Sequence, residues 1–182
     1  MSKVTPGEPG RTEGPDSALG AGRRDTIDHM QARWRAIRPE LDVEPMGVVG
    51  RLLRAAPLIM ARCEAYLEAF DLSRAEFDIV SALCRSDGSI SPGELTRQLL
   101  FTGPATTKRL RRLESAGWIA RSVNPDDARG FLIVATDDGA RRFAELLPGY
   151  LEFEASLVSG LDDVERTVLG ATLRRLLVDW DA

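Results

Sequence analysis

The chain has 182 residues, 43% of them hydrophobic and 29% charged, with a formal net charge of −4. That is apolar material enough for one compact protomer with a sizeable core, and no apolar run approaches the ~18–20 residues of a membrane span. The N-terminus lacks an apolar signal core, two cysteines (Cys63, Cys84) make no disulfide framework, and one histidine (His29) leaves no Cys/His cluster, so a cytoplasmic protein without membrane contact or structural metal is expected.

Residues 1–24 are rich in Gly, Pro, Ser and charge; such a tail buries too little apolar area to offset its ordering entropy and is expected to be disordered. A first helix should begin near Asp25, with Ile27, Met30, Trp34 and Ile37 on one face, and Pro39 ends it. Residues 25–44 thus read as a leading helix and linker. Pro45 can open a long helix to about Phe70, with an apolar stripe through Met46, Val49, Leu53, Ala56, Met60, Cys63 and Leu67. The interior Pro57 should bend it.

Ser73 and Glu76 form a capping box for a helix carrying Phe77, Val80, Leu83 and Cys84, which ends at the Asp87-Gly88 turn. Ser91, Pro92 and Glu94 open the next helix, Pro92 to about Leu100. Thr102 can cap a second, with Gly103 and Pro104 at the turn and Gly117 as the αL residue past its end. Two short helices across a tight turn make a helix-turn-helix. Trp118–Val123 and Phe131–Ala135 read as strands around the polar tip Asn124–Gly130, and Ser89-Ile90 can add a short third strand. Residues 71–135 therefore read as a winged helix-turn-helix.

At 100° per residue, Thr106, Leu110, Leu113 and Gly117 fall on the core side of the second helix. Pro104, Thr107, Lys108, Arg111 and Arg112 fall opposite, and Arg109 lies on the flank. Hydroxyls and cations on one face suit a major groove, where Thr approaches bases or phosphates and Lys and Arg meet phosphates or guanine edges. From Ser91 to Gly130 seven basic residues (Arg97, Lys108, Arg109, Arg111, Arg112, Arg121, Arg129) face four acidic ones (Glu94, Glu114, Asp126, Asp127), although the whole chain is negative. The expected DNA contacts are Thr102, Pro104, Thr107, Lys108, Arg111, Arg112 and Arg129, and the expected partner is double-stranded operator DNA.

After the wing, Thr136 can cap a helix with Ala140, Phe143, Ala144, Leu147 and Leu151 on one side and Pro148 as a kink. Asp162 and Glu165 box the last helix, which carries Val164, Val168, Leu169, Leu173, Leu176, Leu177 and Trp180. Residues 45–70 and 136–182 are too apolar for the outside of a monomer and read as a dimerisation region. A twofold homodimer would set two recognition helices about 34–36 Å apart, one duplex turn, on a palindromic site. The fold class is thus mainly α with a small β-wing.

This order of helices and wing resembles the MarR family of bacterial regulators over about residues 45–180. The local marks are Asp126-Asp127-Ala128-Arg129-Gly130 and the run Thr107-Lys108-Arg109-Leu110 through Leu113-Glu114 to Gly117. The resemblance implies that Arg129 is the wing arginine that reaches the minor groove, with Asp127 as its ion-pair partner. The stretches Asp28–Trp34, Arg38–Asp42 and Pro45–Leu52 are similar to the PecS-like, urate-responsive branch, which carries an extra leading helix. That branch implies a ligand-released repressor, with urate or a related purine as effector and Trp34, Asp78 and Arg109 as ligand-binding residues. It usually carries Ser-Gly-Ala-Met-Thr-Asn-Arg where this chain has Gly103–Arg109, so the groove-facing residues differ and the arginine stays. A half-buried Asp78 wants a cationic partner, and Trp34 can stack on a planar ligand.

Two alternatives share the fold: a redox sensor using Cys63 or Cys84, and a non-catalytic winged-helix module that binds only protein. No nucleophile–base–orienter set and no Gly-rich phosphate loop is present, so neither catalytic residues nor a cofactor are expected and the chain does not read as an enzyme.

Overall fold

A computed structural model describes residues 24–86, 88–100, 102–124 and 130–180. The expected tail up to residue 23, Asp87 of the turn, and the wing tip with Asp126, Asp127 and Arg129 lie outside the described residues. The elements are α1 (Thr26–Ile37), α2 (Glu44–Leu67), a 3₁₀ turn (Glu68–Phe70), α3 (Arg74–Arg85), α4 (Pro92–Gln98), α5 (Gly103–Ser115), β1 (Ile119–Val123), β2 (Phe131–Ala135), α6 (Asp137–Leu157) and α7 (Asp163–Trp180). No helix among the described residues is long and apolar enough to cross a membrane. The chain divides into two compact units, residues 1–56 and 57–182, at Pro57 within α2.

In the first unit, Asp25 caps α1 by accepting from the N–H groups of Ile27 and Asp28, and the Asp28 carboxylate accepts from the Asp25 N–H at 2.9 Å. Arg51 on α2 donates to both carboxylates, at 2.9 and 2.8 Å. Gln31 is buried and its Nε2 donates to the Val43 carbonyl at 2.8 Å. A Cβ at Gly50 would lie 3.0 Å from Ile27 Cδ1, and one at Gly47 would lie 3.1 Å from Gln31 Nε2. These two glycines let α1 approach the first turns of α2. The buried side of α1 is therefore Ile27 and Gln31, whereas Met30, Trp34 and Ile37 stay exposed. The expected single apolar face is split because Gln31, satisfied by Val43, takes a core position.

The second unit holds one hydrophobic core. Cys63 and Leu67 of α2 meet Phe77, Ile79, Val80 and Leu83 of α3, Leu95 of α4, Leu110 and Leu113 of α5, Trp118, Ile119 and Ile133 of the wing, and Phe143, Leu146 and Tyr150 of α6. Full burial of such side chains contributes about 1.5–3 kcal/mol each before entropy is charged against it. Aromatic rings dominate where α3 meets α6, with the Phe77 and Tyr150 centroids 4.3 Å apart. Ser73 and Glu76 close the expected capping box on α3.

The wing strands pair antiparallel from Ile119↔Ala135 to Val123↔Phe131. The third strand is a single bridge, Ile90 to Ile133, with N–H···O distances of 2.9 and 2.8 Å. Gly117 has φ 74°, the left-handed conformation expected after α5. Thr136 caps α6 through the Gly139 N–H.

Two further expectations are corrected. The buried side of α6 is Gly139, Phe143, Leu146 and Tyr150, about one position off the expected stripe, and Leu151 is exposed. Gly139 causes this shift: its missing Cβ lets the first turn of α6 lie against the Trp118 backbone. Thr102 occupies the N-cap of α5 in extended conformation, but its side chain makes no cap hydrogen bond. Pro104 sits at the second helical position and has no N–H for a cap to accept. Cys84 is exposed, whereas Cys63 is buried. On α7, with no buried residue, Val164, Val168, Leu169, Leu177, Val178 and Trp180 are all exposed.

Candidate nucleic-acid interface

The geometry of α5 follows from its anchored side. Thr106, Leu110 and Leu113 are buried in the core. Thr106 Oγ1 donates to the Thr102 carbonyl at 3.1 Å and accepts from Thr96 Oγ1 of α4 at 3.0 Å. This half-buried hydroxyl pair ties the two helices of the helix-turn-helix, a contact with no local sign in the sequence. With that side fixed, Thr102, Pro104, Thr107, Lys108 and Arg111 stand exposed. Thr107 Oγ1 donates back to the Gly103 carbonyl at 3.0 Å, leaving its lone pairs outward. Lys108 and Arg111 form no ion pair among the described residues.

The wing is braced separately. Arg121 on β1 donates to Glu114 at 3.2 Å and lies 4.4 Å over the Phe131 ring. Arg142 of α6 lies 3.8 Å over the Trp118 ring and donates to the Ala116 carbonyl at 3.2 Å, at the C-terminus of α5. A cation there also complements the negative end of the helix dipole. Sequence periodicity did not single out Arg142, because its partners come from another element.

This exposed cationic helix beside a braced hairpin has close counterparts. The MarR family profile matches residues 70–130. The HTH-type transcriptional regulator PecS of Dickeya dadantii is 36% identical over 152 residues, 82% of this chain and 92% of its own length. The chain belongs to the MarR family. Its relatives are transcriptional regulators, not enzymes. Among solved structures of the family, a cysteine-to-serine mutant of E. coli MarR complexed with operator DNA is 27% identical with a TM-score of 0.62, covering 79% of this chain and 97% of its own. The S. aureus MepR–DNA complex is 26% identical with a TM-score of 0.65, covering 73% and 98%.

The other expected DNA contact on α5, Arg112, is placed differently from its neighbours. Its Nη1 donates to Glu76 and its Nη2 to Asp71 Oδ1 at 2.6 Å. The long side chain reaches the start of α3, where a buried carboxylate attracts it. Burial alone would raise the Glu76 pKa, but hydrogen bonds from Arg112 and Ser73 outweigh it and hold the carboxyl below its ordinary value.

Of the expected ligand residues, Trp34 lies exposed on α1 in the first unit, and Asp78 and Arg109 are half-buried in the second. The partner of Asp78 is Arg74, one turn earlier, through Nε at 3.1 Å and Nη2 at 2.8 Å. Arg74 also donates to the Tyr150 hydroxyl and, at 3.4 Å, to Glu154. Burial opposes the Arg74 charge, but Asp78 overrides it and raises the pKa. These residues rim a cleft of about 360 Å³ whose apolar lining includes Phe77, Phe143 and Leu147. Arg74 was missed in the sequence, although its i,i+4 spacing to Asp78 was a usable signal.

For the cysteine alternative, desolvation raises the Cys84 thiol pKa, whereas a sensor thiol needs stabilisation as thiolate. No metal-binding group of three or more His, Cys, Asp or Glu occurs among the described residues.

Proposed function

We propose that this protein is a ligand-responsive repressor that binds a palindromic operator as a homodimer and is released by a small planar anion, urate first. The observation that carries the DNA reading is the exposed face of α5, where Thr107, Lys108 and Arg111 stand clear of a side anchored by Thr106, Leu110 and Leu113. The DNA complexes of MarR and MepR, at 27% and 26% identity, support DNA as the partner. The homodimer reading is supported by the exposed apolar residues of α7, which need cover in water. The full proposed DNA set is Thr102, Pro104, Thr107, Lys108, Arg111 and Arg129, with Arg112 treated below.

The effector reading is supported by the similarity to PecS over 152 residues, which reaches the leading helix, and by Trp34, Asp78 and Arg109 at the positions the branch implies. Asp78, held by Arg74, supplies a carboxylate whose partner a competing anion can claim. Release requires that the ligand prefer the conformation that does not bind DNA. A coupling of about 1–3 kcal/mol weakens operator binding roughly 5–150-fold, and by linkage operator weakens the ligand equally. The test is calorimetric titration of urate with and without operator, in wild type, Trp34→Phe and Arg109→Ala. Sub-millimolar binding that operator weakens, and that both variants impair, is expected. Absence of urate binding ends the purine reading; binding indifferent to operator ends the switch.

A further inference from the structure

Arg111 and Arg112 are adjacent on α5, yet the fold employs them differently. Arg111 has no ion-pair partner among the described residues, whereas Arg112 grips two other segments of the chain. One grip is at the start of α3. The Glu76 side chain is 4% exposed, and its Oε2 accepts from the Ser73 N–H at 2.8 Å, the Ser73 hydroxyl at 2.7 Å and Arg112 Nη1. The same carboxylate therefore completes the capping box of α3 and receives the recognition helix. The other grip is on the turn between α2 and α3. Asp71 is held at φ 52°, and its N–H donates to the Glu68 carbonyl at 3.1 Å. Arg112 Nη2 donates to both its carbonyl, at 3.2 Å, and its Oδ1, at 2.6 Å.

We infer that Arg112 is a positioning residue, which fixes the angle of α5 against the α2–α3 junction through Glu76 and Asp71 rather than neutralising a phosphate. The inference rests on the operator-binding reading above and corrects the part that sequence alone assigned to Arg112. Its physical basis is the difference in burial. To reach a phosphate, the guanidinium would leave a nearly inaccessible carboxylate without its cation, and a stranded buried charge is far costlier than a solvated one. Lys108 and Arg111 have no such tie among the described residues, so a phosphate contact there breaks none of the ion pairs seen. The planar fork of arginine is also required, because two acceptors on different segments are held by two separate nitrogens; lysine offers one point charge.

Operator affinity and its salt dependence distinguish positioning from direct contact. We expect Arg112→Gln, Arg112→Lys and Glu76→Gln each to weaken operator binding on the order of tenfold. All three should keep the wild-type salt slope, and the Arg112→Gln/Glu76→Gln double variant should be little weaker than either single one. Direct phosphate contact predicts the opposite pattern. Glu76→Gln would free Arg112 and leave binding equal or tighter, Arg112→Lys would retain most affinity, and Arg112→Gln would lower the slope by roughly one unit per subunit. That pattern overturns the inference. Hydrogen exchange judges the clamp without DNA: Glu76→Gln should speed exchange across Gly103–Ser115 while leaving α6 unchanged. If wild type binds no duplex, the operator reading fails, and an unaltered exchange profile then removes the clamp as well.

Discussion

Gly139→Ala is expected to separate α6 from the wing. Gly139 is buried in the first turn of α6. An added Cβ would sit 2.1 Å from the Trp118 carbonyl oxygen, 2.8 Å from its carbon and 2.9 Å from Trp118 Cα. Carbon and oxygen approach to ~3.3 Å without repulsion, so the helix must withdraw by roughly 1 Å. The same carbonyl accepts the Thr136 N–H at 3.1 Å, and Thr136 caps α6. Overpacking costs about 1–3 kcal/mol, weakening one backbone hydrogen bond and one cap adds about 1–2 kcal/mol, and the helix propensity of alanine returns about 1 kcal/mol. The net expectation is a loss of about 1–4 kcal/mol. Gly93→Ala is the control, because its Cβ meets nothing within 4 Å, and it should stabilise by about 0.5–1 kcal/mol. Urea unfolding at fixed protomer concentration measures both. Equal stability of the two variants would refute the close approach.

Leu100 has φ 52° and is 87% exposed at the end of α4, so Leu100→Gly removes left-handed strain while losing little burial. Allowing for the entropy of glycine in the unfolded chain, a gain of about 0.5–1 kcal/mol is expected in urea; a loss of that size would show that the side chain packs. The folded pKa of Glu76 is lowered, so its stabilisation is complete above the unfolded value of about 4.3 and disappears as pH falls through the folded one. Unfolding free energies between about pH 2 and 6 should therefore decline more steeply for wild type than for Glu76→Gln, and parallel curves would exclude the linkage. Leu176→Asp with Leu177→Asp should yield monomers or insoluble protein by light scattering; a soluble dimer would exclude α7 from the interface.

Local features were legible in the sequence. The Ser73/Glu76 box, Pro92 at the head of α4, Gly117 at the end of α5, the strand Phe131–Ala135 and the buried trio Thr106, Leu110 and Leu113 each follow from neighbours within a few residues. Contacts between distant segments were not legible. Arg112 meets Glu76 across 36 residues, and Gly139 meets Trp118 across the whole hairpin. Periodicity gives the direction of a side chain from its own helix, but not the destination of a long arginine. The partner of Asp78 was closer at hand: a half-buried carboxylate asked for a cation, and Arg74 stands one turn away.

The most direct test of the account is operator binding across salt concentrations, by fluorescence anisotropy on a duplex from the promoter of the protein's own gene. Wild type is compared with Lys108→Ala/Arg111→Ala. The account predicts tight, salt-dependent binding by wild type. In the double variant the slope of log affinity against log salt should fall by roughly two units per subunit, one for each phosphate no longer neutralised, with the melting temperature nearly unchanged. Unaltered affinity and slope in the double variant would contradict the claim that α5 is the helix that meets DNA.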